Sequence, residues 1–186
     1  WGVELADLDN DGDLDAYVAS GHVASDDPTI TRRQRDSLFL QELSGDFVEA
    51  SAAWGLDRQG NVKGFALGDL NNDGWLDIVK RDLGRQTVVM LSNCGAEAWL
   101  RVSLRAPGRN PFGVGARVRF LAGEQVWERV LVDGGTSFAS SNPLEVHVGL
   151  GDVARVDRIE VIWPDGVVSA VHDLETRQIL RITRND

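Results

Sequence analysis

Apolar positions along the chain follow two patterns. Up to about residue 93 they come in brief runs, Val3-x-Leu5, Ala16-Tyr-Val-Ala19, Phe65-x-Leu67 and Ile78-Val79, separated by dense polar clusters. Runs this short, apolar and often β-branched, predict strands and are too brief for helices. Between them lie Asp36-Ser-Leu-Phe-Leu-Gln41, Asp46-Phe-Val-Glu-Ala50 and Ala53-Trp-Gly-Leu56, with turns expected at Ser44-Gly45 and Arg58-Gln-Gly60. Each unit should therefore carry roughly four strands. Residues 21–35 read as an insertion within the first unit.

From Trp99 the period becomes two: Leu100-x-Val102-x-Leu104, Ala116-x-Val118-x-Phe120, Val130-Leu-Val132, Val146-x-Val148, Val156 to Trp163, Val167-Val168 and Ile179 to Ile182. Turns are signalled by Pro107-Gly108, Gly134-Gly135, Gly149-Leu-Gly151 and Pro164-Asp-Gly166. About seven short strands with this spacing predict a small β-sandwich or barrel. The chain is expected to be all-β, in two modules of residues 1–93 and 94–186.

The polar clusters of the first module repeat. Gly2 to Val18 and Gly64 to Val79 superpose in register, matching Leu5 to Leu67, Asp7 to Asp69, Asp11-Gly12 to Asp73-Gly74 and Asp15 to Asp77. The shared pattern is D-x-[DN]-x-D-G-x-x-D. Side chains at alternating positions of a tight loop converge on one point, which suits a hard cation taking six to eight oxygens at about 2.3 to 2.6 Å. Glycine at the sixth position permits the turn. The first site is expected to use Asp7, Asp9, Asp11 and Asp15 with the carbonyl of Asp13. The second would use Asp69, Asn71, Asp73 and Asp77 with the carbonyl of Trp75. Ca²⁺ fits better than Mg²⁺, which keeps its waters and takes fewer protein ligands. Without a cation, each pair of carboxylates about 4 Å apart would repel by about 4 kcal/mol at an effective dielectric near 20. The first site, with one more carboxylate, should bind more tightly. An EF-hand is a poor match, because the twelfth positions are Val18 and Lys80 and the flanks read as strands.

Charge sharpens the division. The chain carries 29 acids and 19 bases, net −10, with 17 acids against 8 bases up to residue 93 and 12 against 11 beyond it. Eight of those 17 acids lie in the two loops. An acidic half repels phosphate backbones and favours cations, which argues against nucleic acid as a partner. No apolar stretch approaches a membrane span, and the opening residues carry neither a basic nor an apolar leader region. The single cysteine, Cys94, cannot pair within the chain and reads as a packing thiol at the module junction.

The repeated loop, its leading glycine, and Gly45-Asp-Phe47 followed by Ala53-Trp-Gly-Leu56 resemble FG-GAP/VCBS repeats. The resemblance covers about residues 1–93 and implies blades of a calcium-binding β-propeller. Two blades cannot close a ring of four to eight. Either further blades precede Trp1 or the pair packs against something else, and on its own the pair would expose edges that favour association. Trp99-Leu100-Arg-Val, Gly113-Val-Gly-Ala-Arg-Val118, Gly134-Gly135 with Ser140, His147-Val-Gly-Leu-Gly151 and Val161-Ile-Trp163-Pro-Asp-Gly166 resemble, in that order, an ASPIC/UnbV domain.

No catalytic or cofactor-binding residue is predicted. His22, His147 and His172 are scattered, and His147, alternating with Val146 and Val148, should face outward from its strand. No G-x-S-x-G or phosphate-binding loop is present. Trp54, Trp75, Trp127 and Trp163 read as structural rather than sugar-stacking residues. The expected function is that of a non-catalytic calcium-binding protein, secreted or extracytoplasmic, at the periplasm or cell surface, mediating adhesion or protein or glycan interaction. Further blades or a partner chain would complete it. The alternative implied by the resemblance is an accessory or domain of a secreted enzyme or natural-product biosynthetic system.

Overall fold

The computed structural model describes residues 1–22, 33–93, 95–133 and 139–185. The predicted turn at Gly134-Gly135, Cys94 and most of the predicted insertion lie outside the described residues.

The described residues of the first half form nine strands: β1 (Gly2–Ala6), β2 (Asp15–Ala19), β3 (Gln34–Arg35), β4 (Ser37–Gln41), β5 (Phe47–Glu49), β6 (Gln59–Gly60), β7 (Val62–Gly68), β8 (Asp77–Asp82) and β9 (Thr87–Met90). They form a four-stranded sheet ordered β1-β2-β4-β5, a three-stranded sheet β7-β8-β9 and the short pair β3-β6, all antiparallel. The repeat seen in sequence is a repeat in register. Ala6 faces Asp15 at the mouth of the first loop, and Gly68 faces Asp77 at the mouth of the second. The second sheet has three strands rather than four among the described residues. Arg58-Gln-Gly60 is not simply a turn, because Gln59 and Gly60 pair with Arg35 and Gln34.

The two sheets share a core that includes Tyr17, Leu38, Val62, Phe65, Leu67 and Ile78. Tyr17 meets Phe65 edge to face at 5.0 Å. Across the same boundary Lys80 on β8 pairs with Asp36 just before β4, both side chains being buried. Asp36 also accepts the Tyr17 hydroxyl at 3.0 Å and the Ser20 N–H at 2.8 Å, so the charge is fully solvated by protein.

The described residues of the second half form seven strands: β10 (Ala98–Arg105), β11 (Arg117–Ala122), β12 (Gln125–Val130), β13 (Val146–Gly151), β14 (Arg155–Ile162), β15 (Val168–Glu175) and β16 (Gln178–Thr183). They lie in two sheets, β13-β10-β16 and β12-β11-β14-β15. Alternation places Leu100, Val102 and Leu104 of β10 opposite Val118, Phe120, Ile159 and Val161, giving one buried core between the layers. The expected strand at Val130-Leu-Val132 lies earlier, at Gln125–Val130. Gly149-Leu-Gly151 is no turn, since all three residues lie in β13. Gly149 answers to a neighbour, the Asn10 backbone, and Gly151 to its own left-handed φ of 53°.

Candidate cation loops and the face they meet

The first loop gathers carboxylates. One oxygen from each of Asp7, Asp9 and Asp11 lies within 4.8 Å of the others. Asp7 is 1 % exposed, and its Oδ2 accepts the Gly149 N–H at 2.8 Å and Arg129 Nη2 at 3.3 Å. Its Oδ1 is sealed from solvent and has no partner. Asp9 Oδ1 accepts the Asp11 N–H at 3.3 Å, and Asp11 Oδ1 accepts the Asp13 N–H at 2.9 Å, which keeps the chain turning about the cluster. Asp15 is fully buried and ties the loop shut, accepting Leu8 N–H at 2.8 Å and Gln41 N–H at 3.0 Å.

Crowding shows in the acidities. Burial pushes Asp7 up to about 6 against the opposing pull of Arg129. Burial, then the charges of Asp15 and Asp11, raise Asp9 to about 7. Burial also raises Asp15. Each is the response of a carboxylate short of counter-charge.

The second loop is more self-satisfied. Asp69 Oδ1 accepts the Asp73 N–H at 3.0 Å, and its Oδ2 accepts the Gly74 N–H and Arg101 Nη1, each at 2.9 Å. The Asn71 amide donates to Asp73 Oδ2 at 2.7 Å, while Asp73 Oδ1 accepts the Trp75 N–H at 2.9 Å. Asp77 repeats the role of Asp15, accepting Leu70 N–H at 2.8 Å and Ser92 N–H at 2.9 Å.

Both loops end against the β10–β16 sandwich. Gly12, at φ 104°, has Trp127 of β12 so close that a methyl group there would overlap the indole. Gly74, at φ 90°, stands in the same relation to Trp99 of β10. Arg129 also takes the Gly12 carbonyl at 2.8 Å, and Arg101 reaches the Asp69 carbonyl at 3.1 Å and Glu145 at 3.1 Å. The Asn10 carbonyl accepts the Gly151 N–H at 2.9 Å, and Asn10 backbone lies where a Cβ on Gly149 would sit. The two loops touch each other as well, Asn10 Nδ2 donating to the Gly74 carbonyl at 3.1 Å.

His147 corrects an expectation. Its Nε2 lies 3.0 Å from the same Gly74 carbonyl, and Nδ1 is buried without a partner. Outward from its own sheet is inward toward the repeats, which no strand pattern reveals. Burial, outweighing the Gly74 hydrogen bond, lowers its pKa to about 4. Trp163 packs in the core with Nε1 on Ser169 Oγ at 2.9 Å. Trp54 and Trp75 line a cavity of about 410 Å³ beside the first core, with Leu8, Met90 and Asn93. The contact made by Arg101, Arg129 and their tryptophans was missed in sequence. The signal was there, in two Trp-x-Arg triplets at residues 99–101 and 127–129.

The family described as FG-GAP-like repeat matches residues 7–79, and that described as ASPIC and UnbV matches residues 106–186. The chain is thus similar to FG-GAP-like repeats in its first half and to ASPIC and UnbV domains in its second. Its sequence is similar to cartilage acidic protein 1 of Mus musculus, 27% identical over 191 residues, covering 97% of this chain and 28% of that protein. The Xenopus tropicalis protein of the same name is 28% identical over 177 residues, covering 89% and 26%, and the Homo sapiens one 27% over 173 residues, covering 88% and 25%. The chain thus spans about a quarter of the length of the curated relatives it matches. Both acidic loops lie within the FG-GAP-like match, and Trp127 and Arg129 lie within the ASPIC and UnbV match. Among the described residues no helix is long and apolar enough to cross a membrane.

Proposed function

We propose that this chain is a non-catalytic, calcium-binding protein of an extracytoplasmic setting, serving adhesion or protein or glycan interaction. Its two units would be residues 1–93 and 94–186. Asp7, Asp9, Asp11, Asp13 and Asp15 would hold one Ca²⁺, and Asp69, Asn71, Asp73, Trp75 and Asp77 a second. The observation that carries the proposal is Asp7, whose Oδ1 is buried without a partner and whose carboxylate clusters with those of Asp9 and Asp11. A buried carboxylate oxygen in that position is stable when it meets a cation. The second loop is supported by its matching sequence and register alone. Extracellular calcium is millimolar, so sites with affinities of about 10⁻⁴ to 10⁻³ M would be filled there. The names of the similar proteins, cartilage acidic protein 1, fit that setting. The cavity lined by Trp54 and Trp75 offers an aromatic surface to a ligand.

Calorimetry of the intact chain with CaCl₂ tests the calcium proposal. Heat of binding that loses its tighter phase in Asp9→Asn/Asp11→Asn, with the weaker phase kept, is the expected outcome. Absence of any binding at 10 mM would sink it.

A further inference from the structure

We infer that the β10–β16 sandwich is a reader of Asp-x-Asx-x-Asp-Gly loops, gripping two consecutive repeats with two copies of one device, a Trp-x-Arg triplet on a strand. Trp99 and Arg101 lie two apart on β10, and Trp127 and Arg129 two apart on β12, so each pair projects from one side of its strand. In each copy the arginine takes the carboxylate that opens the loop, Asp69 at 2.9 Å or Asp7 at 3.3 Å. In each copy the indole closes on the loop's sixth residue, Gly74 or Gly12. The two strands belong to different sheets of the sandwich, so sheet symmetry does not generate the likeness. What the copies have in common is the ligand.

The chemistry of the device sets what it accepts. A side chain at the sixth position would collide with the indole, which selects glycine. A neutral residue at the first position would take a carboxylate away from a guanidinium that is only 13 or 14 % exposed, leaving Arg101 to Glu145, which favours aspartate. The backbone adds a third contact. β13 is an edge strand, and the first loop covers its free side, Asp7 Oδ2 taking the Gly149 N–H and the Asn10 carbonyl taking the Gly151 N–H. Arg129 holds Asp7 by Oδ2 and leaves Oδ1 without a partner, so the grip does not use up the carboxylate. The inference therefore stands apart from the calcium proposal.

Amide hydrogen exchange on the intact chain tests it, with calcium and with chelator. Two variants are compared with the parent: Arg101→Gln/Arg129→Gln, and Gly149→Ala, whose methyl would meet the Asn10 backbone without bringing any left-handed strain of its own. The expected result in both is at least tenfold faster exchange at positions 149 and 151, with the amides of β11 and β14 unchanged. Unchanged exchange at 149 and 151 in both variants overturns the inference, as does acceleration spread evenly over β11 and β14. Calcium binding that persists while those two amides exchange freely in the parent would also overturn it and spare the calcium proposal. Protected amides in a parent that binds no calcium would support it and remove the other.

Discussion

Arg101 Nη1 lies 2.9 Å from Asp69 Oδ2, joining the first residue of the second acidic loop to a strand 32 positions further along the chain. Asp69 is buried, and the same oxygen also accepts the Gly74 N–H. Asp69→Asn keeps the shape but removes the charge that Arg101 faces, and should cost about 2 to 4 kcal/mol in urea unfolding. The double variant with Arg101→Gln should be less destabilised than the sum of the singles, and strict additivity would mean the pair is not coupled.

Gly74→Ala and Gly12→Ala should each destabilise by about 3 kcal/mol or more, from positive φ combined with collision against an indole. Gly84 is a fair control, with φ 79° and open space around its Cβ position. Gly84→Ala should cost about 1 kcal/mol, the conformational part alone. Equal losses at all three positions would show that the tryptophans contribute nothing.

Lys80 and Asp36 fasten the two repeat sheets to each other in a dry environment. Lys80→Met leaves the Asp36 charge with only the Tyr17 hydroxyl and the Ser20 N–H, and should lower stability by about 3 to 5 kcal/mol. Denaturant titration checks this through a fall in midpoint at constant slope. A change below about 1 kcal/mol would place the pair in water.

His147 should make the seam sensitive to acid. Its folded pKa, about 4, lies below the ordinary 6.5, so between those values the unfolded chain takes up a proton that the folded chain refuses. Its contribution is therefore complete above about pH 6.5 and lost as pH falls toward 4, up to about 3 kcal/mol. Asp7 and Asp9, raised to about 6 and about 7, act in the opposite sense in calcium-free protein, and Asp69, Arg101 and Arg129 also act on the ring. Comparison with His147→Gln, whose amide can still donate to Gly74, cancels those contributions. Parallel pH profiles for parent and variant would exclude the effect.

Calcium should raise the unfolding temperature, and chelator should reverse the gain. At a free concentration 100 times the dissociation constant one site contributes about 2.7 kcal/mol. The first loop should fill first, because Asp7 Oδ1 is already open, whereas Asn71 and Asp73 bond each other in the second. Asp11→Asn should abolish the tighter phase of a titration and Asp73→Asn the weaker, and the reverse order would show that self-satisfied loops bind better.

The sequence by itself determined the all-β class and the two strand, acidic loop, strand hairpins, which close at Ala6 with Asp15 and at Gly68 with Asp77. Those features are local: period-two apolar residues and a glycine turn specify a hairpin whatever surrounds it. It also marked Asp7, Asp9 and Asp11 as a group, since alternating positions of one tight loop must converge. Only the tertiary structure decided that His147 turns toward the repeats with its Nδ1 buried, that Gly149 and Gly151 are strand residues with a foreign loop alongside, and that Trp99, Arg101, Trp127 and Arg129 form one contact face. Along their own strands His147, Trp99 and Arg101 look solvent-directed and Gly149-Leu-Gly151 looks turn-like, while Trp127 and Arg129 stand opposite the core residues Phe120 and Val118 at the sheet's edge. What covers a strand's outer face is set by another part of the chain arriving there, and a one-dimensional period records only which side a residue takes.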